Sequence, residues 1–145
     1  MKKHTLIDVL HDENYHSYTI TIGTDMGQFS GTTICSEEDY DRESRYFGFE
    51  LAEIRAEIKY ARAKRDHWGS QAKALLSFWR NMTGTRTYNA DAYWVKKIRQ
   101  AADDALREYE SWEKEIQNLK DLYRAKIVAF DLVNKKRNKA GAKHD

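Results

Sequence analysis

Residues 47–82 read FGFELAEIRAEIKYARAKRDHWGSQAKALLSFWRNM. Within them Phe47, Leu51, Ile54, Ile58, Ala61, Arg65, Trp68, Ala72, Leu75, Trp79 and Met82 recur in steps of four and three. That spacing draws a narrow stripe along one side of a long helix. Arg65 is its one charged member, and a charge at such a position specifies register at some cost in stability. A second stripe follows through Trp94, Ile98, Ala101, Ala105, Tyr109, Trp112, Ile116, Leu119, Tyr123, Ile127 and Phe130. Two long stripes joined by a short connection predict an antiparallel pair. Gly48 and Gly69 weaken the first helix by on the order of 1 kcal/mol each against Ala. Gly69, directly after Trp68, marks a kink or a close backbone approach.

The flanks supply boundaries. Ser36 followed by Glu37, Glu38 and Asp39 reads as a capped helix start with acids at the positive end of the dipole. Helix one is therefore expected from about 37 to 82 and helix two from about 90 to 137. Between them, Gly84 suits a C-terminal cap and Asn89 an N-cap. Upstream, Tyr18, Ile20 and Ile22 alternate with Thr19 and Thr21, a strand pattern. Gly23-Thr24-Asp25-Met26-Gly27 turns the chain, and residues 28–35 return as a second strand. Residues 4–10 join as a third strand or form a short helix capped by Thr5. The expected fold is α+β, mostly α: a small N-terminal antiparallel β-hairpin or sheet, then a long antiparallel two-helix coiled-coil hairpin. Residues 1–35 form the β region, 36–137 the hairpin with its turn near 83–89, and 138–145 a flexible basic tail, all in one structural unit. So small a sheet is marginal alone and packs on the helices or on another copy. A homo-oligomer through the β region is expected.

The chain has no proline and one cysteine, Cys35. That excludes an internal disulfide and points to a reducing compartment, and no apolar run reaches membrane-spanning length. A cytoplasmic protein without a membrane segment follows. Net charge is only +2, yet acids concentrate in residues 1–50 and bases in residues 51–100. With the turn near Arg86, residue i faces residue 172−i. Arg55, Lys59, Arg62, Lys64 and Arg65 then oppose Glu108, Glu110, Glu113 and Glu115. Likewise Glu37 to Glu43 oppose Lys135, Lys136 and Arg137. Near the turn Lys73, Arg80, Arg86, Lys96, Lys97 and Arg99 are left with only Asp91 against them, among Phe78, Trp79, Tyr88, Tyr93 and Trp94. Cations among aromatics hold phosphates, bases or acidic protein faces. The partner-binding candidates are therefore Lys73, Arg80, Arg86, Tyr88, Tyr93, Lys96, Lys97 and Arg99. A second candidate surface is the acidic patch Glu37, Glu38, Asp39, Asp41 and Glu43.

Catalytic and metal motifs are not found. His4, His11, His16, His67 and His144 show no helical pair and no carboxylate at a ligand spacing, and Glu50, Glu53 and Glu57 have no Glu-x-x-His companion. No cofactor, metal or catalytic residue is expected, and the protein reads as a non-enzyme. In size, lone cysteine, missing motifs and charged helical style, the whole chain resembles small accessory proteins of phages and mobile elements. The inhibitors of host defence, such as anti-CRISPR proteins, are the kind it is most similar to. The resemblance is one of style and carries no residue across. It implies a protein-interaction module that binds a host nuclease or ribonucleoprotein and blocks it sterically. The alternative is a nucleic-acid-binding accessory protein using the basic aromatic tip.

Overall fold

The computed structural model describes residues 4–84 and 93–142, with side chains at all of these except 38, 41, 42 and 135–142. Three strands, β1 (Thr5–Asp12), β2 (Ser17–Thr24) and β3 (Gly27–Ile34), form an antiparallel sheet in the order β1-β2-β3. Two long helices follow, α1 (Arg45–Thr83) and α2 (Tyr93–Ala142). The chain falls into two units. One comprises the sheet with residues up to Tyr60 and from Gln117 on; the other is Ala61–Ile116.

Local chemistry sets the strand connections. Asp12 Oδ1 accepts from the Asn14 and Tyr15 amides, and His16 adopts a left-handed φ of 50°. Histidine tolerates that region better than most non-glycine residues. At the other hairpin Gly27 has φ 104°, the Met26 amide donates to Thr24 Oγ1, and Tyr60 Oη donates to Asp25 Oδ1 at 2.7 Å. Burial, then the adjacent Asp25 carboxylate, pushes the Tyr60 hydroxyl pKa up.

In the first unit Tyr18, Ile20 and Ile22 project from β2 into the core. Burial of an aliphatic side chain of this size contributes about 1.5–3 kcal/mol. Gly31 of β3 lies directly on the α1 backbone, where a Cβ would collide with the Ala52 carbonyl oxygen and the Ala56 amide. One turn away, Gly48 leaves room for the Tyr18 ring, and its carbonyl accepts from Thr33 Oγ1 at 2.7 Å. The α2 segment packs antiparallel: Phe47 stacks on Phe130 at 4.0 Å, and Lys126 Nζ meets Glu50 Oε1 at 2.6 Å. In the second unit Arg65 Nη1 pairs with Glu113 at 3.3 Å, Gly69 faces Tyr109, and Arg99 lies over Trp79. Gly69 thus marks a close approach.

Several boundaries move from the sequence expectation. Residues 37–42 form a 3-10 helix, and α1 begins at Arg45. Ser36 does not cap; its hydroxyl donates to the Asp39 side chain. Ser44 does the capping instead, accepting from the Phe47 amide at 3.2 Å. At the second stripe Val95 is 1% exposed and Trp94 48%, and Ala102 replaces Ala101 in the seam. Cross-helix partners run several residues beyond 172−i, and Arg65 meets Glu113, one of the glutamates expected opposite its block. The Gly84 amide donates to the Arg80 carbonyl, as a C-terminal cap does. Helix α2 continues through Ala142, past the expected start of the tail. Asn89 and most of the expected turn lie outside the described residues.

Replacing Gly31 with alanine lowers stability by on the order of 1–3 kcal/mol, because the new methyl meets backbone rather than a yielding side chain. Tyr60→Phe loses about 1 kcal/mol with the bond to Asp25. Urea denaturation of both variants checks the order.

Candidate functional site

The basic aromatic cluster is carried by the ends of α1 and α2 in the second unit. Lys73, Arg80, Tyr93, Lys96, Lys97 and Arg99 are exposed, as are Phe78 and Trp94. Lys97 Nζ stands 5.5 Å from the Tyr93 ring centroid. Arg99 is partly engaged, its guanidinium 4.8 Å over Trp79 and its Nε 3.3 Å from Asp103. Arg86, Tyr88 and Asp91 lie outside the described residues. Trp79 is half-buried while Trp94 is open, so the two do not jointly close the seam.

Of the acidic patch, the side chains of Glu37, Asp39 and Glu43 are described. Glu43 turns inward, its two oxygens 3.2 and 3.1 Å from His16 Nδ1. The His16 ring stacks on Tyr40 at 3.7 Å, and His11 stacks on Tyr18 at 4.5 Å. Burial tends to raise the Glu43 pKa, but Tyr18, His16 and His11 outweigh it and hold the carboxyl below its ordinary 4.5. The Tyr18 hydroxyl lies beside that carboxylate, fully buried and without a partner of hydrogen-bond geometry among the described residues. Burial first, then Glu43, pushes its pKa up to about 12. Asp39 takes the Ser36 hydroxyl, and Glu37 is exposed. The side chains of Glu38, Asp41, Lys135, Lys136 and Arg137 lie outside the described residues. A cleft of about 290 Å³ opens next to this network, lined by Tyr18, Cys35, Asp39, Glu43, Phe47 and Arg55 among others. It sits at the lower limit of small-molecule pockets.

The basic residues at the start of α1 serve the sheet. Arg55 Nη1 donates to the Thr32 carbonyl at 2.8 Å and Lys59 Nζ to the Ser30 carbonyl at 2.6 Å. Arg55 also lies over Tyr123. Alternate carbonyls of edge strand β3 are thus occupied by α1, in place of the expected pairing of these cations with α2 glutamates.

Edge strand β1 is treated differently. Leu6 and Val9 are paired with Ile22 and Ile20 and so share their face, yet remain 60% and 45% exposed. Ile7 and Leu10 are 48% and 58% exposed. The outer face of β2 and β3 is polar instead, with hydroxyl pairs Thr19–Thr32 and Thr21–Ser30 at 2.9 and 2.6 Å. The sequence signal for this surface was the apolar run Leu6-Ile7 and Val9-Leu10, interrupted only by Asp8. His4, immediately before β1, reaches Glu53 and Glu57 of α1.

Comparison with family models, curated proteins and solved structures found no match. Among the described residues no helix is long and apolar enough to cross a membrane.

The Glu43 carboxylate has a defined pH signature. Its folded pKa is depressed, so its stabilisation is complete above 4.5 and is lost as pH falls through the lower folded value. Glu43→Gln is therefore less stable than the parent at neutral pH, and the gap closes in acid. Thermal melts of both proteins across that range test this; a pH-independent gap would falsify it.

Proposed function

We propose that the protein is a non-enzymatic interaction module that pairs with a second copy of itself through β1. The observation that carries this is the asymmetry of the two sheet edges. The β3 carbonyls are engaged by Arg55 and Lys59, while β1 offers a backbone edge with exposed apolar side chains on both faces. Edge strands that stay solitary are usually blunted by charge or cover. A strand apolar on both faces has the pattern of a sheet interior. An antiparallel copy of β1 across a two-fold axis supplies such a neighbour, because the same patch meets itself.

The basic aromatic surface then takes the target. Following the resemblance to host-defence inhibitors, that target is a cytoplasmic nuclease or ribonucleoprotein of the host, which the module blocks sterically. Lys73, Arg80, Lys96 and Lys97 are exposed, as are Phe78, Tyr93 and Trp94, a set suited to an acidic or phosphate-bearing face. The same set supports a second reading as a nucleic-acid-binding accessory surface.

Light scattering at micromolar concentration gives a dimer for the parent chain and a monomer for Val9→Lys with Leu10→Lys, with unchanged helicity. A strictly monomeric parent overturns the pairing. Lys96→Glu with Lys97→Glu abolishes target binding and leaves self-association intact; binding that survives shows the basic surface to be unused. Affinity for single-stranded DNA that drops steeply with salt, and disappears in that variant, selects the nucleic-acid reading.

A further inference from the structure

We propose that His4, Glu53 and Glu57 form a binding site for a first-row divalent transition-metal ion. The three come from two elements: His4 leads into β1, and Glu53 and Glu57 lie one turn apart on α1. Their ligating atoms all fall within 4.8 Å of one another. The His4 side chain is 8% exposed, Glu57 15% and Glu53 33%, so the imidazole is held at the cluster rather than swinging in solvent.

The distances also suit a shared ion. His4 Nε2 is 3.4 Å from Glu53 Oε1 and 3.6 Å from Glu57 Oε1. Hydrogen bonds from a ring nitrogen to a carboxylate are usually shorter, about 2.7–3.2 Å. A single Nε2 proton serves two carboxylates only as a weaker bifurcated bond. With metal–nitrogen and metal–oxygen bonds near 2.0–2.2 Å, the N···O edge of a tetrahedron is about 3.4 Å. The 3.4 Å spacing to Glu53 is that edge, and the 3.6 Å spacing to Glu57 lies slightly beyond it. One imidazole and two carboxylates form a borderline donor set suited to Zn²⁺, Mn²⁺, Fe²⁺ or Co²⁺, whereas Ca²⁺ takes six to eight oxygens. Water completes the coordination. The ion would tie the start of β1 to α1, a staple independent of whether β1 pairs with a second copy.

The test uses tag-free, chelator-treated protein and Zn²⁺ as probe. Competition with a chromophoric chelator gives one ion per chain, and Zn²⁺ raises the melting temperature. His4→Ala and Glu57→Gln each weaken binding by more than about tenfold and abolish the melting shift. His11→Ala with His16→Ala, which alters the other histidine cluster, leaves both readouts unchanged. Should either first-named variant fold poorly, Co²⁺ added to the unaltered chain shifts the imidazole protons of His4 before those of His11 and His16. Absence of binding, binding indifferent to His4 and Glu57, or Co²⁺ appearing first at His11 or His16 overturns the proposal.

Discussion

Backbone contact between a strand and a helix governs the first unit. At Gly31 the β3 chain touches α1 with no side chain between them, and the fully buried Ala52 and Ala56 keep the helix side flat. Side chains ordinarily hold packed layers about 10 Å apart. Removing them at one crossing draws α1 down onto β3 and β2, where Gly48 admits the Tyr18 ring and receives the Thr33 hydroxyl. A helix about 10 Å across covers roughly two strands spaced near 4.8 Å. The third strand is left beyond its edge. The exposure of Leu6 and Val9 is therefore a geometric result of where the glycine lies, even though both share a face with the buried Ile22 and Ile20.

The same placement explains how the charges of this unit are used. Arg55 and Lys59 stand on the α1 flank nearest β3 and reach its carbonyls, where charge-assisted bonds replace water. Glu50 meets Lys126, and Glu43 meets His16. Charges that look like a solvated helix face in sequence become fasteners between elements.

Legibility in the sequence followed the period of each signal. The four-three spacing revealed both helices and most of their seam, and the alternation of Tyr18, Ile20 and Ile22 revealed β2. The consecutive Leu6-Ile7 and Val9-Leu10 could not separate strand from helix, because a strand covered on neither face has no reason to alternate. Ser36 with its acids and Ser44 both fit a helix start locally; Ser36 was lost to the Asp39 side chain. Trp94 and Val95 differ by one residue, and size favoured the wrong one, since a narrow seam accepts valine more readily than indole. The partners of Arg55 and Lys59 are backbone carbonyls, which leave no trace in residue identity. His4 and Glu53 are 49 positions apart, beyond any motif based on local spacing.

The two units divide their side chains differently. The first buries Tyr18, Tyr60, Leu51 and several isoleucines, whereas the fully buried set of the second is mostly alanine with Met82, Val95 and Ile116. Alanines and Gly69 let two helices approach closely with little bulk between them. Large side chains at neighbouring positions are then turned outward, which is where Phe78, Tyr93 and Trp94 stand. Exposed aromatics in contact with water gain nothing for folding, and they sit here in a unit that also exposes Lys73, Arg80, Lys96, Lys97 and Arg99. A thin helical seam can thus serve as a support whose outer residues are available to another molecule, while the glycine-clamped sheet supplies the thicker core.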